Sequence, residues 1–172
     1  MPEALLITGT VGAGKTSVAD AAGDLLTGAG VPHAVMDLDW LCRAWLRPED
    51  DPFNFELLLR NLTCVTRNYV AAGADRLLLA GVVESVADRD RYREALGMDL
   101  RVCRLRVALP EVRRRLRDRH QDDPDGLRWH LDRSGELDAI LERAGVADFT
   151  VDVTSESVPE VAARVLTAAG YA

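Results

Sequence analysis

Apolar positions along the chain follow two alternating rhythms. Ala4–Thr8 is a continuous apolar run, the pattern of a strand covered on both faces inside a parallel sheet. A helical spacing follows from Lys15 to about Leu26, where Gly28-Ala29-Gly30 ends it. His33–Asp37 predicts a second strand, which runs into an acidic loop punctuated by Pro48 and Pro52. Phe55–Ala72 carries Leu58, Leu62, Val65 and Tyr69 at the spacing of a long helix, with Gly73 placed to stop it. A third buried strand lies within Arg76–Val83, a short polar helix within Asp88–Leu96, and a fourth strand over Leu100–Val107. Pro110 suits the first turn of the next helix, where its missing N–H does no harm. The polar stretch His120–His130, with Pro124 and Gly126, predicts a mobile loop, and helix returns from about Ser134 to Ala144. Phe149–Val153 reads as the fifth strand, and Ser157-Val158-Pro159-Glu160 as the capping box of a last helix reaching about Ala169. Five strands alternating with helices predict an α/β fold, a three-layer sandwich with right-handed crossovers.

Composition narrows the class further. The chain has 172 residues, of which 48% are hydrophobic and 28% charged, a balance that fits a packed core and excludes disorder. With no repeat, low-complexity tract or linker, a single domain over residues 1–172 is expected. The formal charge of −7 disfavours a broad nucleic-acid footprint or an anionic membrane surface. The N-terminal apolar run is too short for a signal peptide, and no stretch approaches the length of a membrane span. Cys42, Cys64 and Cys103 are odd in number and widely spaced, which suggests neither a disulfide framework nor a zinc site. A cytoplasmic, reduced protein is the expectation.

One motif carries most of the chemistry. Gly9-Thr10-Val11-Gly12-Ala13-Gly14-Lys15-Thr16 fits GxxxxGK[ST] and lies between a predicted strand and a predicted helix, as that motif requires. Its glycines let the backbone N–H groups turn inward around a phosphate, and the following helix aims its positive end at the same anion. In this motif Lys15 reaches the β- and γ-phosphates, Thr16 offers a hydroxyl to Mg²⁺, and Ser17 stands near the α-phosphate.

The loop is joined by Asp37-Leu38-Asp39 after strand two and by an arginine-rich helix over residues 111–119. Val151-Asp152-Val153-Thr154, followed by the capping box at Ser157, adds weaker support. Together these features resemble the P-loop kinases of the small-metabolite and nucleotide kinase group. The resemblance implies a parallel sheet ordered 2-3-1-4-5, the phosphate loop after the central strand, and a lid near residues 113–133 that closes over ATP. It places Arg115 and Arg119, four apart and on one helix face, at that lid, with Arg119 clamping the phosphates. It also implies that residues 154–157 border the adenine. Of the two aspartates at the ligand edge of the sheet, Asp37 is assigned to the metal shell with Thr16, and Asp39 to the acceptor hydroxyl.

The third strand departs from many P-loop enzymes because it lacks a terminal aspartate; Glu84 follows it as a possible substitute. Arg128 and Arg133 flank the far side of the predicted loop. The segment between strands two and three should build the acceptor pocket. Arg43 and Arg60 there suit an anionic acceptor group, whereas Glu49-Asp50-Asp51 suits a cationic one, and both options stay open. His33, His120 and His130 show no metal-binding spacing. The expected activity is transfer of the γ-phosphoryl of ATP, with Mg²⁺, to a hydroxyl of a small metabolite or antibiotic. The alternatives are a nucleotide or polynucleotide-end kinase and a non-catalytic ATP-binding switch.

Overall fold

A computed structural model describes residues 1–46 and 48–171. In chain order the elements are β1 (Glu3–Thr8), α1 (Lys15–Gly28), β2 (His33–Asp37), a 3₁₀ turn (Leu38–Leu41), α2 (Phe55–Ala71), β3 (Arg76–Ala80) and α3 (Val86–Leu96). They continue with β4 (Asp99–Val107), α4 (Leu109–Arg119), α5 (Pro124–Ala144), β5 (Phe149–Val153) and α6 (Val158–Ala168). All strand pairs are parallel, and the sheet runs β2-β3-β1-β4-β5. The order implied by the resemblance is therefore the order observed.

The alternation of strand side chains divides the core into two layers. Leu5, Ile7, Leu78, Cys103 and Leu105 face α1, α4 and α6. Ala4, Leu6, Leu77, Leu79 and Val102 face α2 and α3. Both sides of β1 are covered, which is why its sequence reads as unbroken apolar residues rather than as alternation. Arg104 on β4 is buried, and its guanidinium meets Asp138 at 3.0 Å and Glu142 at 2.6 Å on α5. That pairing compensates a charge removed from water and fastens α5 to the sheet.

The expected loop over His120–His130 is a correction: α5 already begins at Pro124. Asp123 accepts a hydrogen bond from the Gly126 backbone N–H at 3.0 Å, and Pro124 occupies the first turn, where proline favours a helix. Leu127 and Leu131 pack against the core, and Leu137 and Leu141 are buried farther along the same helix. The polar residues between them concealed this apolar stripe. A smaller shift concerns α3, which starts at Val86 because the Ser85 hydroxyl accepts from the Asp88 N–H at 3.0 Å. No helix among the described residues is long and apolar enough to cross a membrane.

Candidate active site

β1 delivers the chain into the phosphate loop beside the two neighbours that flank it in the sheet. Gly12 and Gly14 adopt φ of 81° and 93°, left-handed conformations in which a side chain is strained. A Cβ on Gly12 would also stand 3.1 Å from Leu116 of α4, so the loop and that helix pack closely. Gly14 caps α1 without a side-chain bond. The first N–H groups of α1 are thus left for an anion. The Lys15 ammonium donates to the carbonyls of Gly9 and Thr10, each at 3.1 Å, using two of its three N–H groups. Burial pushes its pKa down, Asp39 and Asp37 oppose that shift, and Arg119 adds to it.

The carboxylates come from the end of β2. Asp37 pairs in register with Ala80, the last residue of β3. Gly81 follows, and a Cβ there would stand 2.6 Å from the Leu38 side chain. A side chain at that position would have to displace the buried Leu38 side chain. Asp37 accepts from the Thr16 hydroxyl at 2.8 Å and from the Asp39 N–H at 3.0 Å. The cap of the short turn is therefore Asp37, which frees the Asp39 carboxylate to face the cleft. Thr16, having donated its proton to Asp37, keeps its oxygen lone pairs for a cation. Burial, and secondarily the nearby Asp37, raise the pKa of Asp39, while Lys15 counteracts them.

The arginines of α4 separate into paired and unpaired groups. Arg114 binds Glu111 and Asp118, and Arg115 binds Glu111 at 2.8 Å. These contacts, with Arg114 first, hold the Glu111 carboxyl down at about 2. Arg115 also reaches the Ala13 carbonyl at 3.5 Å, over the phosphate loop. Among the described residues Arg119 has no hydrogen-bond or ion-pair partner, and it lines the cleft. The helix does not hang free of the body, since Val112 and Leu116 are core residues. The buried Thr10 hydroxyl donates to the Ser134 carbonyl at 2.5 Å, which ties the phosphate loop to the middle of α5.

These groups meet in a cleft of about 800 Å³. Over β4 and β5 it is bordered by Val11, Val153, Val158 and Val161, with Glu156 at its edge. The Thr154 N–H and hydroxyl bind Glu156 and, with its own backbone N–H, hold its carboxyl down at about 2. Over β2 and β3 the cleft is lined by Asp39, Phe53, Phe55, Glu84, Asp88 and Tyr92. Arg43 and Arg60 do not line it: Arg43 lies over the Trp40 ring at 5.0 Å, and Arg60 is exposed on α2. Glu84 is paired with Arg133 of α5, which also reaches Glu136 at 3.1 Å. Arg128 is exposed and outside the cleft. Tyr92 and Asp88 escaped the sequence reading because they sit on a polar helix without a motif; only their i, i+4 spacing placed them on one face.

Among the described residues no group of three or more His, Cys, Asp and Glu is arranged to hold a metal by protein ligands alone. Thr16 and Asp37 instead offer the oxygen donors suited to Mg²⁺ when it shares its coordination with phosphate oxygens.

A parallel sheet in this order, with a glycine-lysine loop after its central strand, has the fold of the P-loop small-molecule kinases. The tunicamycin resistance protein of Deinococcus radiodurans is similar over 100% of this chain and 98% of its own, with a TM-score of 0.68 and 20% identity. The APS kinase of Mycobacterium tuberculosis, solved with AMPPNP and APS, is similar over 98% of each chain, with a TM-score of 0.65 and 24% identity. A shikimate kinase from Acinetobacter baumannii, solved with shikimate, is similar over 98% of this chain and 93% of its own, at a TM-score of 0.61 and 19% identity. No protein-family model matches the sequence, and no curated protein matches it.

Proposed function

We propose that the protein transfers the γ-phosphoryl group of ATP to a hydroxyl of a small molecule. The observation that carries this reading is the convergence of Lys15, Asp39 and the unpartnered Arg119 on one cleft above the phosphate loop. Phosphoryl transfer asks little covalent chemistry of a protein and much positioning and charge stabilisation. Gly9–Ser17 cradle the phosphates, with Lys15 neutralising charge on the γ-phosphoryl. Arg119, and Arg115 beside it, close over the nucleotide from α4. Thr16, with Asp37 behind it, would hold Mg²⁺, which would supply further positive charge to the phosphate oxygens. Asp39 accepts the proton of the acceptor hydroxyl as that oxygen forms its bond to phosphorus. The bond from phosphorus to the β–γ bridging oxygen breaks, and ADP leaves with that electron pair. Within the lid expected near residues 113–133, Leu116, Leu127 and Leu131 pack against the core, so the polar residues between Leu116 and Leu127 are the part that would move over the nucleotide. Free thiols at Cys42, Cys64 and Cys103, together with the use of ATP, fit the cytoplasm.

Coupled detection of ADP tests the reading. ATP turnover is expected to be slow alone and to accelerate when a pool of hydroxyl-bearing metabolites and antibiotics is added; a rate indifferent to the pool contradicts it. Arg119→Ala should reduce the accelerated rate about 10²-fold with a smaller change in ATP affinity, the cost of losing one donor aimed at transition-state charge. Equal rates for the variant and the parent would remove Arg119 from the mechanism.

A further inference from the structure

We propose that the half of the cleft over β2 and β3 selects a cationic acceptor, an amine-bearing alcohol with an apolar ring or chain, over an anionic one. The inference rests on the kinase reading above and names the substrate class of that site. An anionic acceptor needs a desolvated cation to receive it, because a carboxylate or phosphate entering a low-dielectric cleft loses its water. Among the described residues the one cation lining this half is Arg133, and its guanidinium is already shared between Glu84 and Glu136. It also lies over the Phe53 ring, 5.6 Å from the centroid, which fixes it at the wall. The arginines that the sequence offered for an anion, Arg43 and Arg60, lie outside the cleft.

Carboxylates prevail on the same surface. Asp51 caps the start of α2 through the N–H groups of Phe55 at 2.7 Å and Glu56 at 3.0 Å. Asp39 faces Lys15. The Asp88 carboxylate, half-buried on the first turn of α3, has no hydrogen-bond or ion-pair partner among the described residues. Beside it stands an aromatic corner: Phe55 and Tyr92 meet edge to face, with centroids 5.3 Å apart, and one face of Phe55 is covered at 5.0 Å by the Arg91 guanidinium, whose charge is paired with Glu56. Tyr92 is buried and spends its hydroxyl proton on the Val82 carbonyl at 3.2 Å, so it presents a wall rather than a donor. An unpaired carboxylate beside aromatic rings favours an ammonium group carried on an apolar body, the ammonium by charge pairing with Asp88 and the body by apolar contact with the ring edges.

Three probes of one shape separate the charge classes without any turnover: 2-phenylethylamine as cation, 2-phenylethanol as neutral form and 3-phenylpropanoate as anion. Each is titrated by calorimetry into the full chain loaded with ADP and Mg²⁺. The amine should bind at least about tenfold more tightly than the anion. Asp88→Asn should bring the amine to the affinity of the alcohol, and Asp88→Glu should restore its advantage, with ADP affinity reporting that each variant is folded. An anion that binds as tightly as the amine overturns the proposal. So does an amine preference that survives Asp88→Asn, or failure of all three probes to bind up to their solubility. A Lys15-dependent phosphorylated anion would overturn the cationic pocket and leave the kinase reading intact. Amine binding without phosphoryl transfer to any acceptor would do the reverse.

Discussion

Lys15→Ala is expected to abolish phosphoryl transfer, lowering kcat by at least about 10³-fold, the scale of losing a preorganised charge at the reacting group. The fold should survive. Lys15 projects from the first residue of α1 into the cleft, and its partners are two backbone carbonyls of the loop rather than a carboxylate in a buried pair. Burial already disfavours its charged form, so removing it relieves a desolvated ammonium, which offsets the loss of its field on the partly exposed Asp39 and Asp37. Single-turnover measurement of ADP formation, with circular dichroism melting alongside, separates the two effects. Turnover within tenfold of the parent would show that the loop lysine does not act on the transferred group.

The second large effect is at Asp39, where Asp39→Asn should lower kcat about 10³-fold, the range for losing a positioned general base. ATP affinity should change little, because the phosphate loop and α4 hold the nucleotide. The pH dependence gives an independent signature. A base must be ionised to accept the acceptor proton, so activity is lost as pH falls through the Asp39 pKa. Burial and Asp37 raise that pKa, and the acid limb should therefore lie above the ordinary carboxylate range. On the alkaline side activity falls as Lys15 loses its proton, below the usual lysine range because burial lowers its pKa. Asp39→Asn should erase the acid limb and move the alkaline one to lower pH, because the Asp39 charge is the largest support of the Lys15 ammonium. An unchanged acid limb in that variant would assign the base elsewhere.

Much of this arrangement is legible in the sequence because the physics that builds it is local. A strand buried on both faces must be apolar throughout, and a loop that wraps a phosphate must contain glycine at its left-handed positions. Both constraints mark β1 and Gly12–Gly14. The start of α5 was hidden because its first turns are solvent-facing, with apolar contacts only at Leu127 and Leu131. A proline and a glycine near a helix start look like a loop until the Asp123 cap is seen. The acceptor half was legible least. Asp88 and Tyr92 come from α3 and Arg133 from α5, far apart in sequence, and they line one cleft only because of how the two helices pack around the sheet. Arg43 and Arg60 had the right charge and lay in the right segment. Their side chains nonetheless end outside the cleft, because segment membership does not fix direction.

The measurement closest to the central claim is mass spectrometry of a pooled metabolite and antibiotic mixture incubated with ATP, Mg²⁺ and the protein, with Lys15→Ala as the blank. The phosphotransferase reading predicts a product heavier than its acceptor by one phosphoryl group, formed by the parent and missing from the blank. ATP binding that matches the parent fold, with no such product from any acceptor in the pool, would contradict it and favour a nucleotide-binding switch.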